Sequence, residues 1–313
     1  MKHQTPSTKH QRSTKLQVMS RLRGFVGDWR FFGVWVLVLG ISGCRSSKPP
    51  PEPPVAVARA ERSTAQAQGL SEQQNWPAAA SEWSKAVKEA SLLNDGAGEA
   101  TALHNLADAE RQLQQFDSAV SNALAAAEIN EGLGRKEDWW RNQILLLQLE
   151  DLQTNRSPGE RLERLAPRIA ESTDPNTRGA FWNELGLFKQ REGKLDEAAE
   201  ILQRAQGEYA SGNDAAGVAT VIANRAKLFE AQGRPDLAAP AWADALRRFE
   251  ALGEPVAIAH ALLGQGRALI AANKDLPKAD MLLRRAARNF RHLRLFDEAA
   301  EADEMLRRLH AGQ

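Results

Sequence analysis

The most distinctive chemical group in the sequence is the thiol of Cys44, the single cysteine of the chain. It follows residues 31–43, which carry no charge and end in Ser42 and Gly43. Basic residues precede this apolar stretch, among them Lys15, Arg21, Arg23 and Arg30. A positive segment, an apolar segment and a small-residue cleavage point together form an export signal. The sequence therefore predicts an exported protein whose signal occupies residues 1–43.

Residues 41–44, with the sequence Ile-Ser-Gly-Cys, resemble the lipobox of a bacterial lipoprotein signal peptide at all four positions. The resemblance implies a diacylglyceryl thioether on Cys44, cleavage before Cys44 and acylation of the new amino terminus. This covalent lipid is the only cofactor we expect. In enteric bacteria an Asp directly after the lipidated Cys retains such proteins in the inner membrane. Arg45 at that place implies an anchor on the periplasmic face of the outer membrane, with the inner membrane and the cell surface as alternatives.

Two other interpretations of this segment stay open, namely an uncleaved membrane anchor and a packed or membrane-proximal thiol at Cys44. A helix that crosses a bilayer needs ~20 apolar residues. Residues 31–43 number only 13 and have charged residues on both sides. Residues 1–18 are polar in a way that is unusual for the start of an export signal. We therefore expect Met19 to be the natural first residue.

The charge of the chain changes when the predicted signal is removed. Residues 1–43 contain seven Lys or Arg and one acid, so the formal net charge falls from +1 to about −5. Nucleic-acid binding needs a basic surface that neutralises phosphates, and we expect no nucleic acid among the partners. A lipidated Cys44 also leaves no thiol for a disulfide, so the stability of the fold must come from packing.

A proline-rich stretch follows the predicted lipidation site. Residues 49–54 read Pro-Pro-Pro-Glu-Pro-Pro, and such a segment favours a polyproline II helix. Residues 44–58 are therefore predicted to form a semi-rigid tether, which at ~3.1 Å per residue could hold the following domain, residues 59–313, ~40 Å from the bilayer. A ligand for a proline-recognition domain is the alternative interpretation.

Small residues recur at a regular interval in residues 59–313, where Ala, Leu, Glu, Gln and Arg dominate without strand-like alternation. They follow turn-like segments and include Ala79, Ala119, Ala198, Ala238 and Ala279. The intervals are 40, 79, 40 and 41 residues, and the long interval has room for one diverged copy. A period near 40 residues with two helices per copy predicts a helical solenoid.

Each copy resembles the tetratricopeptide repeat. In the fourth copy the resemblance rests on Trp182, Leu185, Gly186, Ala198, Leu202 and Ala205. It implies an all-α, right-handed solenoid of about six helix pairs, with a capping helix at residues 297–309. The third copy, residues 137–172, departs most from the pattern, because Glu150 stands in the Leu-Gly region and Leu162 replaces the small residue.

Tryptophan in such a repeat could form a ligand platform or fill the core. The register places Trp83, Trp182 and Trp242 between packed helices, so we expect them to be buried. Trp139 and Trp140 are adjacent and cannot both face one side of a helix. One of the two is therefore expected to be exposed or to lie in a contact.

The sequence contains no recognisable catalytic pattern. It lacks a Gly-x-Ser-x-Gly turn, a P-loop, a His-Glu-x-x-His pair and a cysteine cluster. Only His104 and His260 lie on helix faces that could converge. Gly264 and Gly266 fall within a helical pattern, which favours a helix crossing over a nucleotide-binding loop. We expect neither a metal site nor enzyme activity.

In this repeat family the first helices of successive copies line a concave groove, and the register assigns partner-binding candidates to it. They are His104, Asp108, Arg111, Asn183, Gln190, Arg191, Lys227, His260 and Arg267, with Thr101, Leu187 and Glu230 beside them. The cations among them predict a positive row suited to a peptide carboxylate. A solvated surface of mixed charge is the alternative. A second basic stripe, residues 284–294, is expected to be outer surface, or else a contact for an acidic partner or lipopolysaccharide.

The resemblances together imply a membrane-anchored scaffold of the bacterial envelope that binds a protein or peptide and assists assembly of a complex. A periplasmic binding protein for a small ligand, such as a peptidoglycan fragment, is the alternative function. A protein partner predicts an open groove of mixed polarity. A small ligand predicts a closed aromatic pocket, to which Trp139 or Trp140 could contribute.

Overall fold

The computed structural model describes residues 54–152 and 158–311 of the chain. Cys44, the predicted signal peptide at residues 1–43 and most of the predicted tether lie outside the described residues. Helix α1 begins at Val55, so residues 55–58, expected at the end of the tether, are helical. Pro54 precedes this helix, where its fixed φ and missing N–H are tolerated.

Every regular element in the two described segments is helical. In chain order these are α1 Val55–Glu72, α2 Trp76–Leu92, α3 Gly96–Gln112, α4 Phe116–Gly132, α5 Lys136–Leu152, α6 Gly159–Leu165, a 3₁₀ helix Ala166–Glu171, α7 Pro175–Arg191, α8 Leu195–Ser211, α9 Ala215–Ala231, α10 Pro235–Leu252, α11 Pro255–Ala271, α12 Leu276–His292 and α13 Phe296–Ala311.

Consecutive helices pack as pairs, from α1 with α2 to α11 with α12, and α13 follows the sixth pair. In the third pair, α5 and α6 are in looser contact and meet through side chains. The prediction of an all-α, right-handed solenoid of six tetratricopeptide-like pairs with a final capping helix is confirmed. The capping helix, Phe296–Ala311, is slightly longer at both ends than predicted. Within the described residues, no helix combines the length and the apolar character that a membrane span requires.

Turn chemistry sets the helix boundaries. Within several pairs the turn contains a residue with left-handed backbone, such as Gln114 at φ 60° and Gly193 at φ 78°, a conformation that ends a helix. Between pairs, Asp95, Asp174 and Asp214 each accept a hydrogen bond from a backbone N–H in the first turn of the next helix. These N-caps satisfy donors that a helix start leaves unpaired.

Small residues allow the helices within and between pairs to approach closely. The five periodic alanines, Ala79, Ala119, Ala198, Ala238 and Ala279, are completely buried. A Cβ at Gly186 would stand 2.7 Å from Leu202 Cδ2, and a Cβ at Gly264 would overlap the ring of Trp242. The buried positions of Gly264 and Gly266 within α11 confirm that they belong to helix crossings rather than to a nucleotide-binding loop.

The tryptophans are divided between core and surface as the sequence predicts. Trp83, Trp182 and Trp242 are buried. Trp140 is buried as well and lies edge to face with Phe181, at a ring separation of 6.2 Å. Trp139 is half-buried, and the guanidinium of Arg168 lies 5.1 Å from the centre of its ring.

The third pair is irregular, as its sequence indicates. Its second helix, α6, is seven residues long and continues into the 3₁₀ helix, which contains Pro167. Leu162, which replaces the usual small residue, is completely buried. Glu150 forms an ion pair with Arg161 at 2.7 Å, so the acid in the Leu-Gly region is neutralised by α6.

Candidate protein-binding groove

The first helices of successive pairs, α3, α5, α7, α9 and α11, contact one another along the chain. We call the surface that they form with α13 the groove. All nine partner-binding candidates lie on these helices. Hydrogen bonds and ion pairs between neighbouring first helices connect several of them.

At the α3–α5 end of the groove, His104 belongs to a buried polar chain. The Nδ2 of Asn142 lies 3.1 Å from Nδ1 of His104, and the Oδ1 of Asn142 accepts a hydrogen bond from Asn130. Burial lowers the pKa of His104, and the charge of Asp108 acts against this effect. A neutral His104 can accept the hydrogen bond from Asn142, so its main contribution is to join α3 to α5.

The predicted cationic row needs correction, because three of its four members already have acidic partners. Arg111 pairs with Asp108 at 2.6 Å within α3. The other two cations pair with acids of neighbouring helices: Arg191 reaches Asp151 of α5 at 2.6 Å, and Arg267 reaches Glu230 of α9 at 2.9 Å and Glu301 of α13 at 3.4 Å. Register along one helix does not show these three acids, since they come from adjacent helices.

Lys227 is the remaining member of the row. Its side chain is exposed and makes no ion pair within the described part of the chain. The protein around it still removes part of its hydration, and this desolvation, aided by the nearby charge of Arg267, lowers the pKa of Lys227. Exposure together with partial desolvation is the condition expected for a cation within a concave surface.

His260 lies near Lys227 and carries little charge at neutral pH. Desolvation lowers the pKa of His260, and the charge of Lys227 lowers it further. Its ring lies edge to face with Phe290, with the ring centres 5.0 Å apart. His260 therefore offers an aromatic face and ring nitrogens rather than a second positive charge.

The middle of the groove, across α5, α7 and α9, contains uncharged hydrogen-bonding groups. Asn224 donates a hydrogen bond to Asn183 at 2.8 Å. Gln148 donates to Glu184 at 3.2 Å. The Oε1 of Gln190 is buried, and no described residue donates a hydrogen bond to it. Amide groups of this kind complement the N–H and C=O of a peptide unit.

Glu184 is a groove residue that the sequence interpretation missed. Burial raises the pKa of its carboxyl; the hydrogen bond from Gln148 opposes this rise, and the charge of Asp151 adds to it. Its place directly after Asn183 on α7 was a usable signal. The raised pKa was not readable from the sequence, because it depends on side chains of α5.

Neither of the other candidate surfaces forms a closed aromatic pocket. Trp140 is buried, and the ring of Trp139 lies under Arg168. In the basic stripe of α12, Arg284, Arg285 and Arg291 pair with acids on the same or neighbouring helices. No group of His, Cys, Asp or Glu in the described residues is arranged to hold a metal ion.

No protein-family model matches the chain, and no curated protein matches it. Solved structures do. A Rap protein complexed with competence and sporulation factor is 14% identical, with a TM-score of 0.60 over 82% of this chain and 76% of that one. Aspartyl phosphate phosphatase F from Bacillus subtilis is 11% identical, with a TM-score of 0.59 over 82% and 71%.

A third similar structure is a signal-transduction ATPase with a tetratricopeptide-repeat sensor from Pyrococcus horikoshii. It is 17% identical, with a TM-score of 0.58, and the match covers 82% of this chain and 41% of the other. Identities this low establish the fold alone. By fold, the chain is a solenoid of tetratricopeptide-like helix pairs.

Proposed function

We propose that this protein is a lipid-anchored scaffold of the bacterial envelope that holds a segment of a partner protein in the groove. The observation that carries the proposal is the polar middle of the groove, where the exposed cation Lys227 follows Asn224 by three residues on α9 and Asn224 is bonded to Asn183 of α7 in a buried amide pair. An enclosed aromatic site for a small ligand is not favoured by this surface of amides and ion pairs.

The chemistry of the groove suits an extended peptide with an acidic group. Amide side chains can bind the peptide backbone. The Oε1 of Gln190 is buried, so it would accept a hydrogen bond from a peptide only after its side chain turns outward. A carboxylate placed beside Lys227 would restore the interactions that the cation loses through desolvation. The Rap protein of the same fold is complexed with competence and sporulation factor, which supports a binding role for such a solenoid.

The anchoring part of the proposal rests on sequence. Cys44 ends a lipobox, Arg45 favours the outer membrane, and the proline-rich residues separate the lipid from the solenoid. A scaffold on such a tether can reach partners in the periplasm while it stays at the membrane. No catalytic step is needed in this role.

Charge reversal at one exposed position tests the groove. Lys227→Glu should weaken recovery of an acidic partner by about tenfold, the size expected for loss of one well-placed charge interaction. Wild-type binding should also weaken as salt rises, because accessible charges are screened over ~8 Å at physiological ionic strength. Quantitative pull-downs from solubilised envelopes measure both effects.

The matched control for this experiment is Arg288→Glu on α12, which is also exposed and makes no ion pair within the described residues. Partner recovery with this variant should equal that of the wild type. Equal loss in both variants indicates a general charge effect. Full recovery with Lys227→Glu at every salt concentration places the binding surface outside the middle of the groove.

A further inference from the structure

The irregular third pair creates a second candidate surface, formed largely by second helices rather than first ones. A cleft of about 350 Å³ lies between α4 on one side and α6 with the 3₁₀ helix on the other, with α5 at its base. Leu124, Glu128 and Arg164 along its walls are exposed. The cleft is therefore open to solvent along both edges.

Each side of the cleft is a stripe of side chains at helical spacing. The α4 wall consists of Leu124, Ala127, Glu128 and Glu131, the base of Trp139 and Gln143, and the opposite wall of Arg161, Arg164, Leu165 and Arg168. On α4, residues separated by three, four and seven positions share one helix face, and seven residues span ~10.5 Å. The opposite wall passes from α6 into the 3₁₀ helix between Leu165 and Arg168. Two helical walls above a helical base have the shape of a groove that receives another helix.

The two walls carry opposite charges. Glu128 and Glu131 on α4 are exposed and form no ion pair within 4 Å in the described residues, although the pKa of Arg168 on the opposite wall is raised by its hydrogen bond with Glu171 and further by the charge of Glu131. Arg164 on the opposite wall is likewise exposed and without an ion pair in the described residues. Arg161 forms an ion pair with Glu150, and Arg168 forms one with Glu171. The free charges are thus acidic on one edge and basic on the other.

Apolar surface lies between these charged edges. Leu124 is 46% exposed and is the large apolar side chain that the cleft presents to solvent, although Leu92 and Leu133 elsewhere in the described residues are exposed more. The ring of Trp139 is half-buried at the base of the cleft. Leu165 is buried and lines the opposite wall. Bulky apolar side chains of a partner could therefore cover Leu124 and fill the cleft.

We propose that this cleft docks a short amphipathic helix of a second protein. The helix places an apolar stripe over Leu124 and along the part of the Trp139 ring that Arg168 does not cover, with a basic edge along α4 and an acidic edge along α6. This chemistry differs from that proposed for the groove, where an extended acidic segment is bound. The two proposals can therefore be tested independently of each other.

A library of short helical peptides displayed on phage, selected on the full-length protein, provides the probe. Enriched sequences should carry an apolar stripe flanked by Lys or Arg on one side and by Asp or Glu on the other. A fluorescent synthetic copy of the best peptide then gives an affinity by anisotropy. Leu124→Ser should weaken this affinity at least about tenfold, as expected for loss of a central apolar contact.

A reversal of both edges gives the sharper test. In the double variant Glu128→Lys with Arg164→Glu, the affinity for the selected peptide should fall about tenfold or more. The same variant should bind a peptide whose two charged edges are exchanged. All substituted positions are exposed, and circular dichroism checks that the variants fold. Simple disruption of the fold could not produce binding of the exchanged peptide.

Two control variants separate the cleft from the rest of the surface. Glu163→Lys changes an exposed charge on α6 outside the cleft, and Lys227→Glu changes the groove. Both should bind the selected peptide like the wild type. The proposal is overturned if the library yields no binder, if the cleft variants bind the peptide unchanged, or if Lys227→Glu abolishes binding.

Discussion

Glu184 is a groove residue whose pKa depends on its surroundings. It lies in the middle of the groove, where burial raises the pKa of its carboxyl and Gln148 donates a hydrogen bond to it. A group with a raised pKa in the folded state stabilises the fold at pH values below its ordinary pKa. That contribution is lost as pH rises through the folded-state pKa.

Glu184→Gln should therefore raise the Tm at pH 7 by a few degrees, because the amide keeps the hydrogen bond from Gln148 without a buried charge. At pH 4 the gain should shrink, since the wild-type carboxyl is then protonated in the folded state. Thermal melts at both pH values measure the difference.

The matched control is Glu163→Gln on α6. Glu163 is an exposed carboxylate outside any ion pair of the described residues, so the Tm of this variant should be unchanged at pH 7. A gain of equal size for Glu184→Gln at pH 4 and pH 7 would contradict this account of the groove.

At the scale of the helices, close approach at Gly186 holds the fourth pair together. An added Cβ would stand 2.7 Å from Leu202 Cδ2 and 2.8 Å from its Cγ, and Leu202 is itself completely buried. Leu202 has little room to move aside. The contact therefore couples α7 to α8.

Gly186→Ala should destabilise the protein by about 1–3 kcal/mol through overpacking. Gly207→Ala on α8 is the opposite case, because nothing lies within 4 Å of the added Cβ, and it should stabilise the helix by about 0.5–1 kcal/mol. Urea unfolding of the two variants measures both changes. Stabilisation of equal size at the two positions would show that α7 and α8 are not in close contact at Gly186.

The helices and their packing were predictable from sequence because small residues recur at fixed positions. Ala79, Ala198 and Ala238 gave the register, and the same register correctly placed Trp242 in the core. Ion pairs between adjacent pairs of the solenoid were not predictable, because the acid that neutralises Arg191 lies 40 residues away on α5. Glu184 was missed for the same reason.

For the whole molecule, the lipid anchor is inferred from the sequence, since Cys44 lies outside the described residues. If Cys44 carries the lipid, Cys44→Ala should abolish acylation, because the thiol that receives the lipid is gone, and should leave an unprocessed precursor. This precursor should be held at the membrane only by its short apolar segment, since stable attachment needs two or more acyl chains. Metabolic labelling with a palmitate analogue, with Arg288→Ala as a control variant that keeps Cys44, measures this. A wild-type protein without label would contradict the lipoprotein interpretation.

Photocrosslinking in intact cells shows whether the groove holds a partner protein. A photoreactive amino acid is placed at Lys227 in the groove and, in a separate variant, at Arg288 on α12, since both positions are exposed. We expect one or a few discrete protein adducts from Lys227, which mass spectrometry should map to an acidic segment, and none of these adducts from Arg288. Adducts of the same proteins from both positions, or no protein adduct from Lys227, would contradict the proposed binding role of the groove.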